Sequence, residues 1–165
     1  MTTPPSRPET LLAEVGFLMS AVRAGVVDAV NAELASLDLR VREYSVLAVS
    51  GDTDEVTQRA LSSLLRLDPS RVVALLDTLE KRDLVQRTPH PTDRRTNVVR
   101  VTERGRQLRE RGREAAVRGE QVALNGLSEA ERDFLVALLR RLALHEQPDL
   151  VALVIPTRPR TDAIL

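Results

Sequence analysis

Residues 57–82, TQRALSSLLRLDPSRVVALLDTLEKR, constrain the fold more than any other run in the chain. Thr57 can cap a helix whose apolar residues are Leu61, Leu64 and Leu65. Arg66 and Leu67 follow as a tight turn, and Asp68 opens a second helix with Pro69 at its first position. Asp followed by Pro is a strong start signal, because the carboxylate accepts orphan amide protons and the proline has none to leave unpaired. Helical period turns Val72, Val73, Leu76 and Leu79 inward and leaves Ser70, Arg71, Ala74 and Thr78 on the outer face. On its own this pattern fits either a helix-turn-helix or an ordinary helical hairpin in a bundle.

The continuation separates the two. LVQRT and TNVVRV are rich in β-branched residues and flank a proline-containing tip, so the order becomes helix, helix, hairpin, which is the order of a winged helix. The tip carries Asp93, Arg94 and Arg95, either as a solvated charge run or as a finger raised toward a polyanion. Thr102 can cap a further helix from Glu103 to about Leu124, with Glu103 where the macrodipole favours negative charge. Its many arginines read mainly as a solvated face, with Arg106 and Glu110 spaced to pair. Ser128 and Glu131 form an SxxE capping box for a last helix, striped by Phe134, Leu135, Leu138, Leu139 and Leu142. Upstream, Leu11, Val15, Leu18, Val22, Val26 and Val30 predict a long amphipathic helix from Glu9 to about Ser36. A shorter helix fits about Val41 to Val49, with Val46 and Leu47 inward, until GDTDE breaks it.

Composition excludes several alternatives. The chain has 165 residues, enough for one domain with a sizeable core, and that core is aliphatic, since there are two Phe, one Tyr and no Trp. A base-stacking platform of the single-strand-binding type is therefore poorly supported. Without cysteine there is no disulfide framework, thiolate metal site or thiol redox sensor. The N-terminus MTTPPSRPE does not read as a signal peptide, and Glu14, Arg23 and Asp28 would be costly in a bilayer, so a soluble, cytoplasmic protein is expected. Net charge is zero, yet residues 66–118 hold 14 Lys+Arg against 8 Asp+Glu, whereas residues 1–65 hold 5 against 9. A local basic segment, rather than global charge, is what binds polyanions.

With LLRLDPSRVVALLDTLEKRDLVQR at 64–87 and PTDRRTNVVRVTERGR at 91–106, framed by long helices, the chain resembles the MarR family of winged-helix transcriptional regulators over roughly residues 10–145. The resemblance implies a mainly α fold: a winged helix-turn-helix over about 41–102, with a small β-hairpin wing and dimerisation helices at about 9–36 and 103–145. A disordered leader is expected at 1–8 and a tail at 147–165. It also implies that the helix from Pro69 to about Arg82 enters the major groove of double-stranded DNA, and that a wing arginine probes the minor groove. The implied DNA-binding set is Thr57, Gln58, Ser70, Arg71, Ala74, Thr78, Arg94 and Arg95, with Asp77 and Asp93 orienting a wing arginine. The partners implied are a palindromic operator, a second copy of the chain and a small-molecule effector lodged between the winged module and the helical dimer region. No cofactor and no metal are expected. Three positions depart from the family pattern: Arg66 and Asp83 stand where Gly is frequent, and His90 where Asp is common. Asp tolerates left-handed geometry, whereas Arg66 leaves a different turn geometry open.

Other functions are less well served. Acid–base or nucleophilic catalysis needs a positioned base beside its target, and two distant histidines with no cysteine and no glycine-rich phosphate loop assemble no such constellation. A winged scaffold that binds protein instead of DNA draws support from the neutral net charge. A metal sensor would have to be built on His90 and Asp93 at an unremarkable spacing.

Overall fold

The computed structural model describes residues 11–52, 56–90 and 96–146. The expected leader, the wing tip at 91–95 and the tail at 147–165 lie outside them. The described elements are α1 (Val15–Leu34) with a 3₁₀ turn (Ala35–Leu37), α2 (Val41–Asp52), β1 (Val56–Thr57), α3 (Gln58–Leu65), α4 (Pro69–Lys81), β2 (Val85–Pro89), β3 (Asn97–Val101), α5 (Glu103–Ala123) and α6 (Glu129–Glu146). The fold is thus mainly helical with one small antiparallel sheet, as expected. The chain divides into two compact units, one of Met1–Val41 with Arg111–Gly126, the other of Arg42–Glu110 with Leu127–Leu165.

In the first unit, Val30 and Leu34 of α1, Leu39, and Ala115 and Ala116 of α5 are buried. The two helices pass at close range because residue 119 has no side chain: a Cβ there would lie 2.6 Å from Val30 Cα. Arg118 Nε donates to Glu33 Oε2 at 3.0 Å across the same pair. Asp38 turns the chain in the left-handed region (φ 51°), Leu39 N donates back to Leu34 O, and Asn31 Oδ1 accepts from Val41 N at the start of α2. The predicted first helix is interrupted between residue 11, which is helical, and Val15. Residues 12–14 leave the helix and Glu14 is extended (φ −87°, ψ 114°), although no glycine or proline marks the break. Val15–Leu37 is long and apolar enough to match a membrane span by length and composition, with a mean hydropathy of 1.3, and Val15, Phe17, Leu18, Met19 and Val22 are exposed on it.

In the second unit, Val46, Leu47, Leu61, Val72, Leu76 and Leu79 from three helices are buried, together with Leu84, Val85, Val98 and Val99 from the sheet region. The expected hairpin is present, with Val85 opposite Val101 and Pro89 opposite Asn97. Pro89, which has no amide to donate, sits in an edge strand where that is tolerated. The sheet has a third strand that the sequence did not announce. β1, only two residues long, pairs Val56 with Val99 and Thr57 with Val98, giving the order β1-β3-β2. Nor does GDTDE end α2 at Val49, since the helix continues through Gly51 and Asp52.

One junction fixes the hairpin to α5. Thr102 Oγ1 donates to Asp83 O at 2.7 Å and accepts from Gly105 N at 3.0 Å, so it closes β3 and caps α5 at once. A Cβ at residue 105 would sit 2.0 Å from Leu84 O, so only glycine fits there. The expected Arg106–Glu110 pair is replaced by a shorter-range one, because Arg106 is drawn back to Glu103 Oε2 and Val101 O. The capping box at the start of α6 forms as expected, with Ser128 N donating to Glu131 Oε2 at 2.8 Å and Glu131 N to Ser128 Oγ at 3.4 Å.

Candidate nucleic-acid interface

The candidate interface is built from α3, a three-residue turn and α4. Thr57 Oγ1 accepts from Ala60 N at 3.1 Å, so this hydroxyl fixes the start of α3, and Gln58 beside it is half-buried. Arg66 ends α3 in the left-handed region (φ 50°, ψ 48°), so the position adopts the geometry a glycine would favour despite its side chain. Asp83 does the same after α4 (φ 55°). Both departures from glycine therefore change the energy of the turn rather than its course; a non-glycine residue in this region carries roughly 1 to 2 kcal/mol of strain. Ser62 Oγ donates to Leu67 O and Leu67 N to Ser62 O, which holds the turn closed.

Pro69 occupies the first position of α4 as the sequence implied, but the carboxylate of Asp68 makes no cap to the helix amides. It lies instead 3.7 Å from Arg71 Nε, with both side chains largely exposed. An exposed pair of this kind holds its partners weakly, by well under about 1 kcal/mol. Arg71 is therefore tethered lightly enough to be redirected by a stronger acceptor.

Ser70, Arg71, Ala74 and Thr78 are all exposed, while Val72, Leu76 and Leu79 on the opposite side are sealed in the core. Thr78 Oγ1 donates to Ala74 O at 2.9 Å. Val73 departs from the expected inward position and is 41% exposed. It stands about 100° around the helix from Val72, at the margin of the buried stripe.

The wing is anchored to α4 by a cluster that local sequence patterns did not reveal. Arg87, on β2, donates from Nε to Glu80 Oε2 at 3.0 Å and from Nη2 to both Glu80 Oε2 and Asp77 Oδ1 at 2.5 Å, while its own amide donates to Glu80 Oε1 at 3.0 Å. The hydrogen bonds from Arg87 hold the Glu80 carboxyl below its ordinary range, and Glu80, then Asp77, raise the guanidinium. Asp77 was expected to orient Arg94 or Arg95, but those two and Asp93 lie outside the described residues, and the partner Asp77 has among those described is Arg87. Acids three apart on one helix turn share a face, so Asp77 and Glu80 were a legible pair. Their cation could be found only once the hairpin register was known.

A family model described as the MarR family matches residues 37–96. A transcriptional regulator of the MarR family from Rhodococcus sp. RHA1 has a solved structure 34% identical to this chain, with a TM-score of 0.76, covering 85% of this chain and 96% of its own. CouR from Rhodococcus jostii RHA1, solved bound to p-coumaroyl-CoA, is 37% identical with a TM-score of 0.70 over 81% of this chain and 94% of its own. A structure of the transcriptional repressor CouR bound to a 23-mer DNA duplex is 26% identical, with a TM-score of 0.75 over 85% and 99%. The putative transcriptional regulatory protein for the hcr operon of Thauera aromatica is 35% identical over 99 residues, a match that spans 60% of this chain and 60% of that relative's length.

Proposed function

The chain belongs to the MarR family of transcriptional regulators, and on that footing we propose that it is a homodimeric, sequence-specific binder of double-stranded DNA, a cytoplasmic repressor released by a small molecule. The observation that carries this reading is the exposed row of Ser70, Arg71, Ala74 and Thr78 on α4, whose opposite face is locked in the core and whose neighbouring wing is held by Arg87. A helix pinned on one side and bare on the other is what reading a major groove requires. Arg71, near the first turn, is the residue we assign to a guanine edge; Thr57, Gln58 and Thr78 supply hydrogen bonds to phosphate or base, and Ala74 lets the backbone approach. Of Arg94 and Arg95, which lie outside the described residues, we assign one, Arg94 by preference, to the adjacent minor groove.

The dimer is supported by apolar surface. Phe17, Met19 and Val22 on α1, and Phe134, Val136, Leu139 and Leu142 on α6, are exposed, more than a soluble single chain usually leaves bare. A two-fold partner covers such stripes and sets two reading helices for inverted half-sites. The DNA duplex bound by CouR and the p-coumaroyl-CoA bound by CouR of Rhodococcus jostii support the two remaining parts, operator binding and response to a small molecule.

The test is a pair of titrations of Arg71→Ala, one on a selected operator and one on random duplex. Loss of a bidentate guanine contact should weaken the operator by about 1 to 3 kcal/mol and random DNA far less. Equal losses on both would reduce Arg71 to a phosphate contact. A wild-type chain that binds no duplex at low salt would leave the zero net charge to favour the protein-scaffold reading instead.

A further inference from the structure

Among the described residues of 42–110, Val73 is the only large apolar side chain left exposed. The others are Leu11 and Leu12 ahead of α1 and residues on α1, on α5 beyond Arg111 and on α6, whereas Val73 stands alone on α4. It shares the exposed arc of that helix with Ser70 and Ala74, three residues before it and one after. It also lines an opening of about 450 Å³ together with Gln58, Arg59, Ser62, Ser63 and Pro69, between α3 and the start of α4. Pro69 and Val73, one turn apart, put two adjacent hydrocarbon surfaces on the flank of the helix that faces α3.

Seen from DNA, the major groove offers one apolar feature, the 5-methyl of thymine, and short aliphatic side chains are what contacts it. We propose that Val73, backed by Pro69, is a specificity-determining residue that selects thymine by packing on that methyl group. The inference rests on the DNA-reading role proposed above and deepens it: Arg71 reads by hydrogen bonding on one flank of α4, Val73 by exclusion of water on the other. A solitary exposed valine elsewhere on a protein would need no explanation. This one lies within the row of side chains assigned to the bases, where each position either discriminates or is silent.

The experiment uses the full-length protein and the duplex it selects from random sequence. Each thymine of one half-site is replaced in turn by uracil, which removes the methyl and nothing else. Burial of one methyl group corresponds to about a fourfold change in affinity. One thymine position should therefore show roughly a threefold to fivefold loss with the wild-type protein and none with Val73→Ala. Val73→Thr, which keeps one of the two methyls at nearly the same volume, should retain part of that discrimination while folding normally. If both proteins bind operator but give the same thymine-to-uracil ratio at every position, Val73 reads nothing and the inference is overturned. If the wild-type protein selects no duplex at all, the DNA-reading role fails and the inference falls with it.

Discussion

Replacing Arg87 by alanine should loosen the wing from α4 while leaving both present. The substitution removes three side-chain hydrogen bonds, two to Glu80 and one to Asp77, and keeps the backbone bond from residue 87 to Glu80. Charge-assisted bonds in a dry interior contribute about 1.5 to 3 kcal/mol each, but these side chains are 24%, 36% and 45% exposed, so solvent screening reduces each considerably. Allowing about 0.5 to 1 kcal/mol per carboxylate, with a little more for the lost packing of the arginine stem, gives a loss of roughly 1.5 to 2.5 kcal/mol. For a chain of this size that is a fall in Tm of roughly 3 to 10 °C, to be read by circular dichroism at fixed protein concentration. Arg87→Lys should recover only part of it, because an ammonium cannot hold two carboxylates in a planar fork. A double-mutant cycle with Glu80→Gln isolates the pair and should give a coupling of about 0.5 to 1 kcal/mol. If Arg87→Ala melts with the wild type and the coupling vanishes, the cluster is only a surface pairing, and the wing must be held by its strand register alone.

The same geometry carries three further expected outcomes. Glu80 has its carboxyl pKa depressed in the folded state by Arg87, so its contribution is complete above the ordinary carboxylate range and is lost as pH falls through it. Urea midpoints should therefore drop more steeply between about pH 5 and pH 3 for the wild type than for Glu80→Gln, and parallel curves would contradict the assignment. Gly105→Ala should destabilise by about 2 kcal/mol or more, because a methyl placed 2.0 Å from Leu84 O cannot be absorbed by a flexible side chain; near-normal denaturant unfolding of this variant would show that the β3–α5 junction yields easily. Leu142→Asp, on the exposed stripe of α6, should shift sedimentation from dimer to monomer at micromolar concentration, and an unchanged dimer would move the interface elsewhere.

The helices were legible because their signals are local. Thr57, Pro69, Thr102 and the Ser128–Glu131 pair each mark a helix start with a bond or a missing donor that depends on residues no more than a few positions away. What was not legible depends on the path of the chain. Val73 sits next to Val72 in sequence, but burial at the edge of an apolar stripe is decided by whether another element happens to cover it. β1 is too short to show any periodicity, and its pairing with Val98 and Val99 brings together residues some forty positions apart. Arg66 and Asp83 look like departures in sequence, yet the backbone takes the left-handed turn at both. The family resemblance points Asp77 toward a wing arginine, and the tip arginines lie outside the described residues. Among the described residues its partner is Arg87, which the hairpin register brings to it.

The most direct test of the central claim is selection of duplex fragments from random DNA by the purified full-length protein. Two reading helices related by a two-fold axis should enrich an inverted repeat whose half-sites lie about 10 base pairs apart, centre to centre. Enrichment of a single unrepeated site would contradict the symmetric dimer, and recovery of unenriched DNA would contradict the assignment of α4 as a sequence-reading helix.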